Sequence, residues 1–110
     1  MPKGILCLKY AGWKTDLLIF ICPGCNKEHS IDVTTEASFE KIPLGSTETI
    51  HVWHYSINKQ VNEIATLDIT PSFDASKYCG YHGPFNWSIE AMIIPPNRYR
   101  NETSELWLNS

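Results

Sequence analysis

The chain has 110 residues, the size of one domain, and 43% of them are hydrophobic against 19% charged, which excludes a disordered polypeptide too polar to bury a core. A net charge of −3 argues against a broad phosphate-binding surface, which needs a basic face. The longest apolar run, Leu17 to Cys22, is far short of the roughly 20 residues that span a bilayer, so no membrane segment is expected.

Taken in chain order, Lys3 to Tyr10 is rich in Ile, Leu and Tyr and ends at Ala11-Gly12, which predicts a first strand. Asp16 to Cys22 is a continuous apolar run of strand length and delivers Cys22 into the turn dipeptide Pro23-Gly24. The alternating residues from His29 to Val33 read as the return strand, so Cys22-Pro23-Gly24-Cys25 forms a hairpin tip. Thr34 to Thr47 has loop composition with room for one helical turn. Glu48 to Tyr55 alternates as a strand that points His51 and His54 to opposite faces. Asn58 to Asn62 reads as a turn, Ile64 to Thr70 as a short strand and Ser72 to Lys77 as loop. Trp87 to Ile94 alternates as the last strand and stops at Pro95-Pro96. Trp13, Trp53 and Trp87 are expected in the core, and Trp107 and Leu108 are expected to dock on it.

Two pairs of metal-ligating residues share a two-residue spacer, Cys22-x-x-Cys25 and Cys79-x-x-His82. Structural zinc takes four tetrahedral N and S ligands, and such a spacer lets two side chains converge on one ion. Glycines 24, 80 and 83 supply the backbone freedom that tight ligand turns require. The expected site is therefore one zinc held by Cys22, Cys25, Cys79 and His82. A thioredoxin-like redox motif would be followed by a long helix, whereas a strand pattern follows Cys25. His29, four residues after Cys25, is the rival to His82 as fourth ligand. Cys7 has no spaced partner and reads as a small buried hydrophobe.

The 53 residues 26–78 between the two pairs exceed the linker of a minimal finger, so the ligand turns belong to a larger sheet. The expected fold is mainly β: a zinc-ribbon-like antiparallel sheet with two zinc knuckles and a long inserted connection. It forms one domain over residues 1–96, followed by a C-terminal tail at 97–110.

The segment Phe20 to His29, with Thr70-Pro71-Ser72 and Cys79-Gly80-Tyr81-His82-Gly83, resembles the DUF6527-like family of small phage and prophage zinc-binding proteins, sometimes misannotated as ammonia monooxygenase. The resemblance implies phage origin and supports metal binding, with Trp53 matching a strand tryptophan of that family. It carries over no settled activity.

The function expected from these features is that of a non-enzymatic zinc-binding protein-interaction module, whose partner is a host or phage protein that it inhibits or modulates. The alternatives are a small zinc-dependent enzyme and a zinc-knuckle nucleic-acid binder. An enzyme would need an acid or base beside an open metal position, for which Glu28, His29 and Glu90 are the candidates. Nucleic-acid binding lacks a Lys/Arg cluster around either ligand turn. The N-terminus has no apolar core of signal-peptide length, so a cytoplasmic location is expected, the host cytosol for a phage protein.

Overall fold

A computed structural model describes residues 2–10, 12–71, 74–75, 81–82 and 87–110, with backbone alone at 74–75 and 81–82. The strands are β1 (Lys3–Cys7), β2 (Asp16–Ile21), β3 (Glu28–Thr34), β4 (Phe39–Lys41), β5 (Ile50–Val61), β6 (Ile64–Thr70), β7 (Asp74–Ala75), β8 (Tyr81–His82) and β9 (Trp87–Ile94), followed by the helix α1 (Glu102–Leu108). Six strands run in the order β3-β2-β1-β9-β6-β5, and a β3–β5 pairing closes them into a barrel. β4 extends β5 along the edge that β6 also uses, and β7 pairs with β8. No helix among the described residues is long and apolar enough to cross a membrane.

The mainly β class agrees with the sequence pattern, but the sheet is not antiparallel throughout. β1 pairs parallel with β9, and β3 parallel with β5. These two ladders join strands far apart in the chain, which hairpin reasoning does not reach. Closure also removes the open edges that an isolated ribbon would present to other chains.

Alternation along each barrel strand fixes which residues fill the interior. Leu6, Leu18, Phe20, Ile31, Val33, Trp53, Tyr55, Ala65, Leu67, Ile69, Trp87, Ile89 and Ala91 belong to one buried cluster. Two of the three tryptophans named as core are inside; Trp13 is on the surface. Gly4 faces the same interior, opposite Phe20 and Ala91, where a methyl group would meet the Ile19 carbonyl oxygen at 2.8 Å.

A second cluster lies outside the barrel, where Ile5, Ile19 and Ile94 bury Leu108, with Cys7, Leu17, Ile21 and Trp107 packed around them. The C-terminal residues thus dock on their own barrel, as a helix that the sequence pattern does not signal. Asn101 caps α1 by accepting from the Ser104 N–H at 3.1 Å, while the Asn101 N–H donates to the Ser104 hydroxyl at 2.9 Å. Trp107 Nε1 donates to the Gly4 carbonyl at 2.9 Å, and Lys3 Nζ sits 4.2 Å above the Trp107 ring.

Three further local expectations differ from the structure, the first being Ser72 to Lys77, read as loop, where Asp74–Ala75 forms β7 against β8. β5 continues through Asn58 to Val61, with a bulge between Ile57 and Lys59, and the turn is confined to Asn62-Glu63. Asn62 adopts a left-handed φ of 56°, which asparagine tolerates. In the Thr34 to Thr47 stretch the chain forms the short strand β4 in place of a helical turn, because Phe39 to Lys41 finds a ladder partner on β5.

Candidate metal centre

One end of the barrel collects the start of β1, the end of β2 and the starts of β3 and β9. The registers Gly4↔Phe20, Phe20↔His29 and Gly4↔Ala91 require it. The β6–β9 connection also leaves and returns here, since Thr70 lies opposite His54 and Trp87 opposite Ile69.

At this end the interior parity Leu18, Phe20 of β2 extends to Cys22, which is fully buried. The chain then reverses tightly. The Asn26 N–H donates to the Cys22 carbonyl at 2.8 Å, and the Cys22 N–H to the Lys27 carbonyl at 2.9 Å. Asn26 takes a left-handed φ of 58°, so a small amide side chain stands where the turn needs positive φ. This reversal brings Cys25 back over the barrel mouth and starts β3 in register, with His29 directly opposite Phe20 and therefore on the same inward face.

The ligand atoms of Cys22, Cys25 and His29 all lie within 4.8 Å of one another, and Cys25 Sγ is 3.3 Å from His29 Nε2. A tetrahedral ion bonded at about 2.3 Å to sulfur and 2.0 Å to nitrogen separates its ligands by about 3.5–3.8 Å, so the cluster fits such an ion with small side-chain adjustments. Two thiolates and an imidazole are borderline-soft donors, the set that suits zinc over magnesium or calcium. The Phe20 ring lies beside this group. It meets the His29 ring edge-on at 6.0 Å and the Trp87 ring at 4.9 Å.

The structure thus unites Cys22 and Cys25 with His29, the rival ligand. Cys79 lies outside the described residues. The backbone of His82 pairs with Asp74 in the β7–β8 ladder, and its side chain lies outside the described residues. His51 and His54 are both elsewhere: the His51 ring stands edge-on to Trp53 at 4.5 Å, and His54 Nδ1 lies 2.7 Å from the Glu36 carbonyl oxygen. The signal for His29 was available in the hairpin itself. Once Cys22 and Lys27 bracket the turn, residues 20 and 29 face one another.

The carboxylates proposed as acid or base do not face the cluster. Glu28 pairs with Ile21, a residue of the outer layer, and its side chain takes two hydrogen bonds from Arg100 at 2.7 and 3.1 Å. Those bonds hold the Glu28 carboxyl below the usual carboxylate range. Glu90 lies between the inward residues Ile89 and Ala91 and so points outward. Cys7 is part of the outer layer, where burial pushes its thiol pKa up.

The chain matches no family model, no curated protein and no solved structure.

Proposed function

We propose that the protein is a zinc-stabilised β-barrel that works as a protein-interaction module. Cys22, Cys25 and His29 hold the metal, and Cys79, from the connection that leaves the same barrel end, is its fourth ligand. The observation that carries this reading is the convergence of the three donors at the barrel mouth. Bound zinc would tie the β2–β3 turn to the β6–β9 connection and so shape that end of the molecule. The outward direction of Glu28 and Glu90 favours a structural role over a hydrolytic one. The resemblance to phage and prophage proteins supports a host or phage protein in the cytosol as partner.

A second reading rests on the same three residues. Two cysteines and one histidine with an open fourth position are also the ligand set of one class of catalytic zinc. Cobalt substitution separates the two. With Cys79 as a ligand, the sulfur-to-cobalt charge-transfer intensity falls by about a third in Cys79→Ser, in proportion to the thiolates lost. The same fall in Cys79→Ser, with ligand-field bands that shift in His82→Gln and not in His29→Ala, would return the site to the set Cys22, Cys25, Cys79 and His82. An unchanged spectrum in both Cys79→Ser and His82→Gln would favour the open, catalytic type. In His29→Ala, zinc affinity falls at least about tenfold, the scale on which even supporting residues of a metal site act. Competition with a chromophoric chelator measures it.

A further inference from the structure

The barrel end opposite the metal centre carries the features of a binding surface. β1 and β2 are joined there by the sequence Lys9-Tyr10-Ala11-Gly12-Trp13-Lys14, and Tyr10 and Trp13 are 61% and 69% exposed, with both lysines also exposed. A large aromatic left mostly exposed costs hydrophobic free energy, and two within four residues make an apolar tip.

This tip is held in shape. The Trp13 N–H donates to the Tyr10 carbonyl at 3.1 Å, and Gly12 supplies the positive φ of 98° that the turn requires. At its base the Lys9 N–H donates to one Asp16 carboxylate oxygen at 3.0 Å, while the buried Tyr55 hydroxyl donates to the other at 2.8 Å. A barrel-interior side chain therefore anchors the loop through Asp16. Ordering it at an interface costs little further entropy.

The neighbouring strand adds to the same end. β9 runs parallel beside β1, Leu8 N–H bonds the Ile94 carbonyl at 3.0 Å, and the chain beyond β9 presents exposed Arg98 and Tyr99, the latter 90% exposed. Arg98 and Tyr99 border a cleft of about 470 Å³ that Met92, Asn101, Thr103 and Glu63 also line.

We infer that this end, with Tyr10, Trp13 and Tyr99 as anchors and Lys9, Lys14 and Arg98 as its charged rim, binds an acidic segment of a partner protein. The inference rests on the interaction-module reading and names the surface that serves it. Trp, Tyr and Arg are the residue types that dominate binding energy at protein interfaces. Lys9, Lys14 and Arg98 outnumber the carboxylates beside them, Asp16, which accepts from the Lys9 N–H and the Tyr55 hydroxyl, and Glu63 in the cleft, so the surface complements an acidic rim and speeds encounter with it. Nucleic acid is the poorer fit, because a chain of net charge −3 repels a long polyanion beyond its few local contacts.

Selection of short random peptides against the zinc-loaded full chain tests the proposal. The expected winners combine an apolar residue with flanking Asp or Glu. They bind about tenfold or more weakly to Trp13→Ala and to the Lys9→Glu/Lys14→Glu double variant, and more weakly as salt rises. Both variants change exposed side chains, and an unchanged melting temperature verifies that they fold. Enriched peptides that bind Trp13→Ala as well as wild type would overturn this surface while leaving the interaction-module reading standing. Failure to enrich any peptide would overturn both. Tighter binding of oligo(dT) or of phosphatidylserine vesicles, lost in Trp13→Ala, would replace the protein partner with nucleic acid or a lipid surface.

Discussion

Tyr55 shows how a single side chain links the barrel interior to a surface loop. Its hydroxyl is buried and donates to Asp16, and burial, then that hydrogen bond, raise its pKa well above the usual tyrosine value. A group whose folded pKa is raised stabilises the fold fully below its unfolded pKa, about 10 for tyrosine, and loses that contribution as pH rises through the folded value. Stability measured by urea unfolding should therefore fall as pH rises above about 10, more steeply in wild type than in Tyr55→Phe. At neutral pH Tyr55→Phe should cost about 1–2 kcal/mol, since the hydrogen bond goes to a charged acceptor that keeps its Lys9 partner. The candidate metal ligands belong to the same scale. Cys22 and Cys25 were legible because their spacer is itself the chemical signal, whereas grouping His29 with them takes the β2–β3 register, which sets it on the inward face opposite Phe20.

Among the elements, β1 is the most constrained, since it is covered on both faces. Inside, Gly4 leaves room for Ile89 and Leu18, and outside α1 rests on Ile5. A methyl group at residue 4 would press on the Ile19 carbonyl at 2.8 Å and on Ile89 at 3.0 Å, and backbone cannot give way cheaply. Gly4→Ala is expected to destabilise the fold by about 1–3 kcal/mol, read as a lowered denaturation midpoint with an unchanged slope. The helix depends on its cap. Asn101→Ala removes the acceptor for the Ser104 N–H and should cost about 1 kcal/mol, a fall of roughly 4 °C in melting temperature. Strands with strict alternation were readable, as Trp87 to Ile94 shows. α1 was not, because seven residues with one cap and two apolar contacts carry no helical period; it exists because the barrel offers Ile5, Ile19 and Ile94 as a floor.

At the scale of the whole molecule, the interior cluster, which Cys22 joins and Cys25 packs against, supplies burial that needs no ion. The barrel buries Leu6, Leu18, Phe20, Leu67 and Ile89 completely, each contributing about 1.5–3 kcal/mol. Chelation should accordingly lower the melting temperature while leaving the far-ultraviolet β spectrum in place, unlike a zinc finger, which unfolds without metal. A collapse of the spectrum on chelation would show that barrel closure itself needs the ion. The sequence by itself determined the mainly β class, strands such as Asp16–Ile21 and Trp87–Ile94, and Cys22-x-x-Cys25 as a candidate ligand pair, because these follow from local chemistry and a two-residue period. Only the tertiary structure decided that the sheet closes through the parallel β1–β9 and β3–β5 ladders, and that the Cys22 turn and the β6–β9 connection share one end while Tyr10, Trp13 and Tyr99 share the other. The physical reason is that pairing between strands distant in the chain is selected by the burial of whole faces, a sum over many residues that no local pattern contains.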